Sequence, residues 1–383
     1  MKVSYITKLQ QVPELAAEER TRLARVTERF AFRSNSYYQS LIDWSDPHDP
    51  IRRLVVPHED ELVEWGSLDA SGEASYTVMP GLEHKYPDTA LLLVNNVCGA
   101  FCRFCFRKRL FLKGNQETVR NVDAELDYIR SHPEISNVLL TGGDPLLMSA
   151  ARLAPILEAL SSIEHVRIIR IGSKMTAFNP YRILDDRELV DLFARTVRGG
   201  SQLYLMNHFN HPRELTAEAK RALRVLAEVG VMLTNQTPMI RGINDDPEVL
   251  RDLFNQLSFL GIPPYYVFQC RPTRGNRSYT LPLEQAYRHF VDAWRGSSGL
   301  ARRARLVMSH RTGKIEVIGL TKGHIMFRYH RAPNPANDGK IIICRRNPRG
   351  YWFDDFACVD SLSDTLVEDC RPDNADAAQN HTA

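Results

Sequence analysis

The sequence predicts an α/β fold: a partial (β/α)6 TIM-like barrel, with a helical cap before it and a small β-rich extension after it. Three observations predict it. From Ala90 onward, six short β-type runs recur, ALLLVNNV, NVLLT, VRIIRI, SQLYLMN, VMLTNQT and PYYVFQ. Amphipathic helical patterns separate them, which makes the strands parallel because each crossover returns the chain to the same end of the sheet. A polar or metal-binding cluster directly follows every run, where catalytic groups sit in parallel β/α folds.

Residues 1–89 read as the helical cap, interrupted by DWSDPHDPIRR, whose prolines remove donors and prevent a continuous helix. The core spans residues 90–301. Its clearest helix runs from Thr216 to Val229, with Ala219, Ala222, Leu223, Leu226 and Val229 on one face, Thr216 as cap and Gly230 as terminator. From Arg302 to Cys358 the pattern changes to β-like runs, KIEVIGL, HIMFRYH and KIIICRR. Residues 359–383 are polar, mildly acidic and poor in apolar side chains, as expected of a mobile tail.

Composition narrows the function classes. Apolar residues make up 43% and charged residues 25% of the 383-residue chain. No apolar run approaches the roughly 18 residues of a membrane span. The start, MKVSYITKLQQ, lacks the apolar stretch of a secretory signal, so a cytoplasmic location is expected. A net charge of +3 gives little support to nucleic-acid binding.

Seven cysteines are present, three of them within CGAFCRFC. A structural zinc site needs four closed ligands, whereas Cys98, Cys102 and Cys105 offer three with no local fourth. On a four-iron cluster, three thiolates leave one iron open to an exogenous ligand, so a cluster is favoured over zinc. Glycines in GGDPL, Gly142 to Leu146, suit close approach of backbone to a ligand, although Asp144 also reads as the cap of the next helix. Arg107, Lys108 and Arg109 abut the cysteines and suit carboxylate recognition, with a solvated face the plain alternative for Lys108 and Arg109.

Assembled in this order, the motifs resemble the lysine 2,3-aminomutase family of radical S-adenosylmethionine (SAM) enzymes, which also use pyridoxal 5'-phosphate (PLP). The resemblance runs from about Tyr37 to Ile318, through YYQSLIDWSDPHDPIRR, PGLEHKYPDTALLLV, CGAFCRFCFRKR, VLLTGGDPLL, VRIIRIGSK, NHFNHPRELT, TNQTPMIRGIND, PPYYVFQC and TGKIEV. It implies the radical SAM type of barrel, with a 4Fe–4S cluster on Cys98, Cys102 and Cys105. Phe104 would lie beside the SAM adenine, with Gly142, Gly143 and Asp144 holding SAM. Arg107 matches the arginine that grips the substrate carboxylate, Lys314 the lysine that binds PLP, and Tyr86 the aromatic residue near the PLP ring. The implied reaction is an isomerisation: a 5'-deoxyadenosyl radical removes a β-hydrogen from an amino acid held on PLP, and the α-amino group moves to the β-carbon. Its implied partners are an amino acid substrate and a one-electron reductant of flavodoxin or ferredoxin type. A homo-oligomer is compatible, and no membrane or nucleic acid is expected.

Departures bear on the substrate. Lysine-using members carry an aspartate directly after the QC of the sixth strand, where this chain has Arg271, and the second aspartate is absent from VMSHRTG before Lys314. Two cations about 4 Å apart repel by on the order of 4 kcal/mol at a protein-like dielectric. An acidic substrate is therefore expected in place of free lysine, with Arg274 and Arg277 also near in sequence. Lysine itself is the alternative, as is a PLP-independent radical SAM enzyme modifying RNA or protein. Thr89 stands where many members have a basic residue near the PLP phosphate, and Phe268 where an aromatic hydroxyl is common. Cys344, Cys358 and Cys370 are too dispersed for the paired zinc cysteines of some members.

Overall fold

The computed structural model describes residues 2–112 and 114–362. Its small sheet pairs β1 (Tyr5–Ile6) with β2 (Ser34–Asn35) in the cap. The large sheet starts with β3 (Thr77–Met79), β4 (Leu82–Tyr86) and β5 (Thr89–Asn95). It continues through β6 (Asn137–Gly142), β7 (Ile168–Ser173), β8 (Gln202–Asn207), β9 (Met232–Met239) and β10 (Pro264–Gln269). The last strands are β11 (Arg305–His310), β12 (Gly313–Leu320), β13 (His324–Arg331), β14 (Ile341–Arg345) and β15 (Cys358–Leu362). These 13 strands lie in chain order, and among the described residues no pairing closes the sheet on itself, so the barrel is open.

All six expected strands form, as β5 to β10, and they pair in parallel. Six helices make the crossovers from β5 to β11: Asp123–Ser131, Ala150–Ser161, Arg187–Arg198, Ala217–Glu228, Pro247–Phe259 and Leu283–Arg295. The helix read from Thr216 is capped as expected, since Ala219 N donates to Thr216 Oγ1 at 3.1 Å. Period-two alternation sorts each strand between two environments. On β6, Val138 and Leu140 pack against the helices in the main core, whereas Leu139 and Thr141 face a central cavity.

Three features depart from the expected segments. The cap is not purely helical, because β4 joins the core sheet antiparallel to β5 and β3 pairs antiparallel with β4 at its edge. The extension does not stand apart from the core: β11 pairs in parallel with β10 as a seventh parallel strand, and β12 to β15 continue antiparallel. Finally, the segment expected to be mobile begins inside β15; its remainder, 363–383, lies outside the described residues. In each case an edge strand with unpaired donors and acceptors finds a partner, which tail composition or local periodicity does not reveal.

Candidate active site

The carboxyl ends of the parallel strands open into one cavity of about 330 Å³, a size suited to small organic ligands. Cys98, Cys102, Phe104, Cys105 and Arg107 reach it from the loop after β5, and Gly142, Gly143 and Asp144 from the end of β6. Lys174, His208 and Arg271 enter after β7, β8 and β10, and Gln236 from within β9. Tyr86 on β4, Lys314 on β12 and Arg331 on β13 complete the wall. Every residue that the resemblance assigns to a cofactor, together with Arg107 and Arg271, therefore borders the same space, whereas Lys108, Arg109, Arg274 and Arg277 do not.

Cap residues hold the cysteine loop. Arg33 Nε donates to Cys98 O at 2.7 Å, and the buried Asn35 side chain donates to Gly99 O at 3.2 Å. Arg103, within the motif, turns inward and forms a two-point ion pair with Glu61 at 2.9 and 2.7 Å, with both side chains buried. Lys108 Nζ joins the same carboxylate at 3.4 Å. Arg109 pairs with Glu73 at 2.6 Å and Glu117 at 2.8 Å, so neither Lys108 nor Arg109 is the solvated charge that sequence allowed. Burial pushes the three thiols up, Cys102 to about 12, so thiolates there at neutral pH need a cationic partner. Among the described residues, no three His, Cys, Asp or Glu side chains converge as ligands of one metal ion do. A cluster, which spreads its thiolates over separate irons, asks for wider spacing.

The GGD turn is pressed against this loop. A Cβ on Gly142, whose φ is 106°, would meet Asn95 O at 2.5 Å, and one on Gly143 would lie 2.6 Å from the backbone of Val97. Asp144 N donates to Val97 O at 2.9 Å. The Asp144 carboxylate is engaged internally, accepting from Leu146 N, Ser173 Oγ and Lys174 N at 2.8–3.0 Å. Burial raises it to about 6 against those hydrogen bonds. Its direct contacts thus make it a brace for the loops after β6 and β7, and the adjoining glycine backbone borders the ligand space.

On the opposite wall Lys314 Nζ lies 4.2 Å from the centre of the Tyr266 ring and 5.6 Å from that of Phe268. Burial and then the nearby Arg170, Arg331, Arg271 and Lys85 lower its amine to about 7, which favours the free base a carbonyl cofactor reacts with. Gly313 beside it has φ 153°, and a Cβ there would meet Arg331 O at 2.5 Å. Only glycine lets these two strands close up next to the lysine.

Between the two walls sits a charge cluster. Arg107 donates to Thr141 Oγ1 at 3.0 Å and to Glu73 at 3.1 Å, and Arg271 donates to Glu73 at 3.3 Å. The Arg271 guanidinium also lies 3.5 Å from the centre of the Phe106 ring. Glu73 is held far below the usual carboxylate range by Arg107, Arg271 and Arg109, which outweigh its burial. Burial moves Glu83 the other way, up to about 7. Arg274 and Arg277 do not border the cavity: Arg274 N donates to Ser67 O of the cap at 3.1 Å, and Arg277 sits over Tyr351 at 4.2 Å.

Sequence reasoning missed Glu73, Glu83, Lys85, Arg170, His208 and Arg331. Glu83 and Lys85 carried a usable signal, since they alternate on a strand that ends at Tyr86. Glu73 and Arg331 carried none, because only tertiary pairing brings them in.

With this geometry in hand, the radical SAM superfamily pattern matches residues 92–254. An Aquifex aeolicus protein named "Putative L-lysine 2,3-aminomutase" is 58% identical over 93% of this chain and 95% of its own length. The chain belongs to the lysine 2,3-aminomutase family of radical SAM enzymes. L-lysine 2,3-aminomutase of Clostridium subterminale is 35% identical over 77% of this chain and 70% of its own. Glutamate 2,3-aminomutase of Clostridioides difficile is 33% identical over 82% and 73%. Membership implies a 4Fe–4S cluster, SAM and PLP, and the cavity fits all three: three thiols on one loop, a glycine turn that no Cβ could occupy, and a depressed lysine amine. Among the described residues, no helix is long and apolar enough to cross a membrane.

Proposed function

We propose that this chain is a radical SAM, PLP-dependent amino acid 2,3-aminomutase whose substrate is an acidic amino acid and not free lysine. Cys98, Cys102 and Cys105 hold the cluster, and Phe104, Gly142 and Gly143 line the SAM site with Asp144 bracing the turn. Lys314 holds PLP beside Tyr86. When bound, these groups supply the hydrogen-abstracting radical and the π-system through which nitrogen migrates.

The protein's own share is positioning. Arg107, fixed by Thr141 and Glu73, presents its guanidinium to the substrate α-carboxylate. Arg271, 3.5 Å from the centre of the Phe106 ring, offers a second guanidinium to a side-chain carboxylate. The observation that carries the substrate class is the balance of charge. Arg107 and Arg271 share the firmly ionised Glu73, Arg109 divides itself between Glu73 and Glu117, and Glu83, 3.5 Å from Arg107, is pushed toward neutrality. A lysine ammonium entering there meets an excess of positive charge; a carboxylate relieves it.

The test is an anaerobically reconstituted enzyme given a panel of α-amino acids, with product regiochemistry read by mass spectrometry or NMR. β-Amino products from acidic substrates support the proposal, and turnover of lysine alone overturns it.

A further inference from the structure

Resting on the reading of Lys314 as the PLP lysine, a second question follows: which groups take the cofactor's phosphate? A phosphate dianion in a half-buried cavity needs cations or hydrogen-bond donors that are not already saturated. Arg107, Arg109 and Arg271 are committed to Glu73 on the Phe106 side. Lys85 Nζ is tied to His310 O at 2.5 Å. Near Lys314 the situation differs.

Arg331 stands directly across from Lys314 in the β12–β13 ladder. Its guanidinium lies 4.6 Å from the centre of the Tyr86 ring and donates to Thr89 Oγ1 at 3.3 Å, with Asp88 as its only carboxylate partner among the described residues. It therefore fills the space beside position 89, where a basic side chain was expected and threonine is found. Arg170, on β7, also borders the cavity; it donates from Nε to Asn137 Oδ1 at 2.8 Å, and its two Nη groups make no hydrogen bond among the described residues. The outer Asp88 carboxylate is half exposed, so Arg170 and Arg331 are left with less negative charge than they carry.

We infer that Arg331, with Arg170 beside it and the Thr89 hydroxyl, binds the phosphate of pyridoxal 5'-phosphate, replacing the basic residue absent at position 89. The cation comes from the hairpin strand that faces the cofactor lysine. Phosphate and aldehyde are then gripped from adjacent strands, and Asp88 aims Arg331 without cancelling it.

The experiment compares PLP with pyridoxal, which lacks the phosphate, by titrating each into the full-length protein and following the cofactor absorbance after subtraction of cluster bands. The wild-type protein should prefer PLP. Arg331→Met and Arg170→Met should each lower the preference for PLP over pyridoxal by about tenfold or more. Arg331→Lys should keep most of the preference, and Thr89→Arg should restore it in the Arg331→Met background. A wild-type PLP-to-pyridoxal ratio in a folded Arg331→Met protein overturns the inference while leaving the Lys314 reading intact. No cofactor band in the wild-type protein overturns both. Inorganic phosphate reads the same site without a variant: it should weaken PLP binding but not pyridoxal binding in the wild-type protein, and absence of that competition also counts against the inference.

Discussion

Arg107 donates from Nη2 to Glu73 Oε1 at 3.1 Å, and that one carboxylate also takes Arg109 and Arg271. A carboxylate from the cap thus holds together three guanidiniums contributed by two barrel loops. Any substrate carboxylate enters as the second anion of a cluster built around the first, and substrate preference follows from this arrangement.

Arg271→Asp should reverse that preference. Replacing a cation that faces the substrate by an anion changes the interaction with a lysine ammonium by at least the roughly 4 kcal/mol estimated for one pair, about a thousandfold in kcat/KM. The expected outcome is loss of acidic-substrate turnover and gain of lysine turnover; unchanged ranking would remove Arg271 from the substrate site.

Glu83 supplies a pH test. Its folded value, about 7, lies above the roughly 4.3 of an unfolded glutamate, so the native state holds the proton longer. Between these values stability falls as pH rises, and above about 7 the full penalty persists. Glu83→Gln removes it. Relative to wild type, the variant should gain stability progressively from about pH 4 to pH 7, as measured by urea denaturation at several pH values.

Lys314→Ala should abolish the borohydride-sensitive PLP absorbance while leaving iron content and SAM binding intact. In the wild-type protein, PLP affinity should rise as pH passes through about 7, because the amine must shed its proton to react. A pH-independent affinity across that range would contradict the buried-amine reading.

Arg103→Met breaks the buried pair with Glu61 and leaves an uncompensated charge, which costs about 3–5 kcal/mol. Since Arg103 touches no ligand space but lies between two of the cysteines, the variant should lose thermal stability and retain less iron after anaerobic reconstitution. Full iron retention would show that the loop holds its shape without this anchor.

Gly143→Ala would place a methyl group 2.6 Å from the Val97 backbone. Separation of the GGD turn from the cysteine loop should abolish reductive SAM cleavage, read as deoxyadenosine release, with the cluster still present. Wild-type release would deny the turn its role.

Much of this was legible in the chain itself. Short β-type runs set between amphipathic helical patterns marked β5 to β10, because a strand with one face on helices and one on a cavity must alternate or stay apolar. CxxxCxxC and GGD announced local chemistry that needs particular residue types at short spacing, whereas TGK spoke only through its resemblance to the family. Strand β11 joining the parallel set was not legible, since pairing partners are chosen by edges and not by local pattern.

By itself, then, the sequence determined the parallel β/α order and the loops that carry chemistry, both set by short-range spacing and propensity, while Lys314 was singled out only by the family resemblance of TGKIEV. Only the tertiary structure decided that Glu73 from the cap ties Arg107 to Arg271, and that Arg331 stands across from Lys314 beside Thr89. Charges far apart in the chain act on one another through space, so their partners depend on how sheet edges and cap come together, which no run of neighbouring residues specifies.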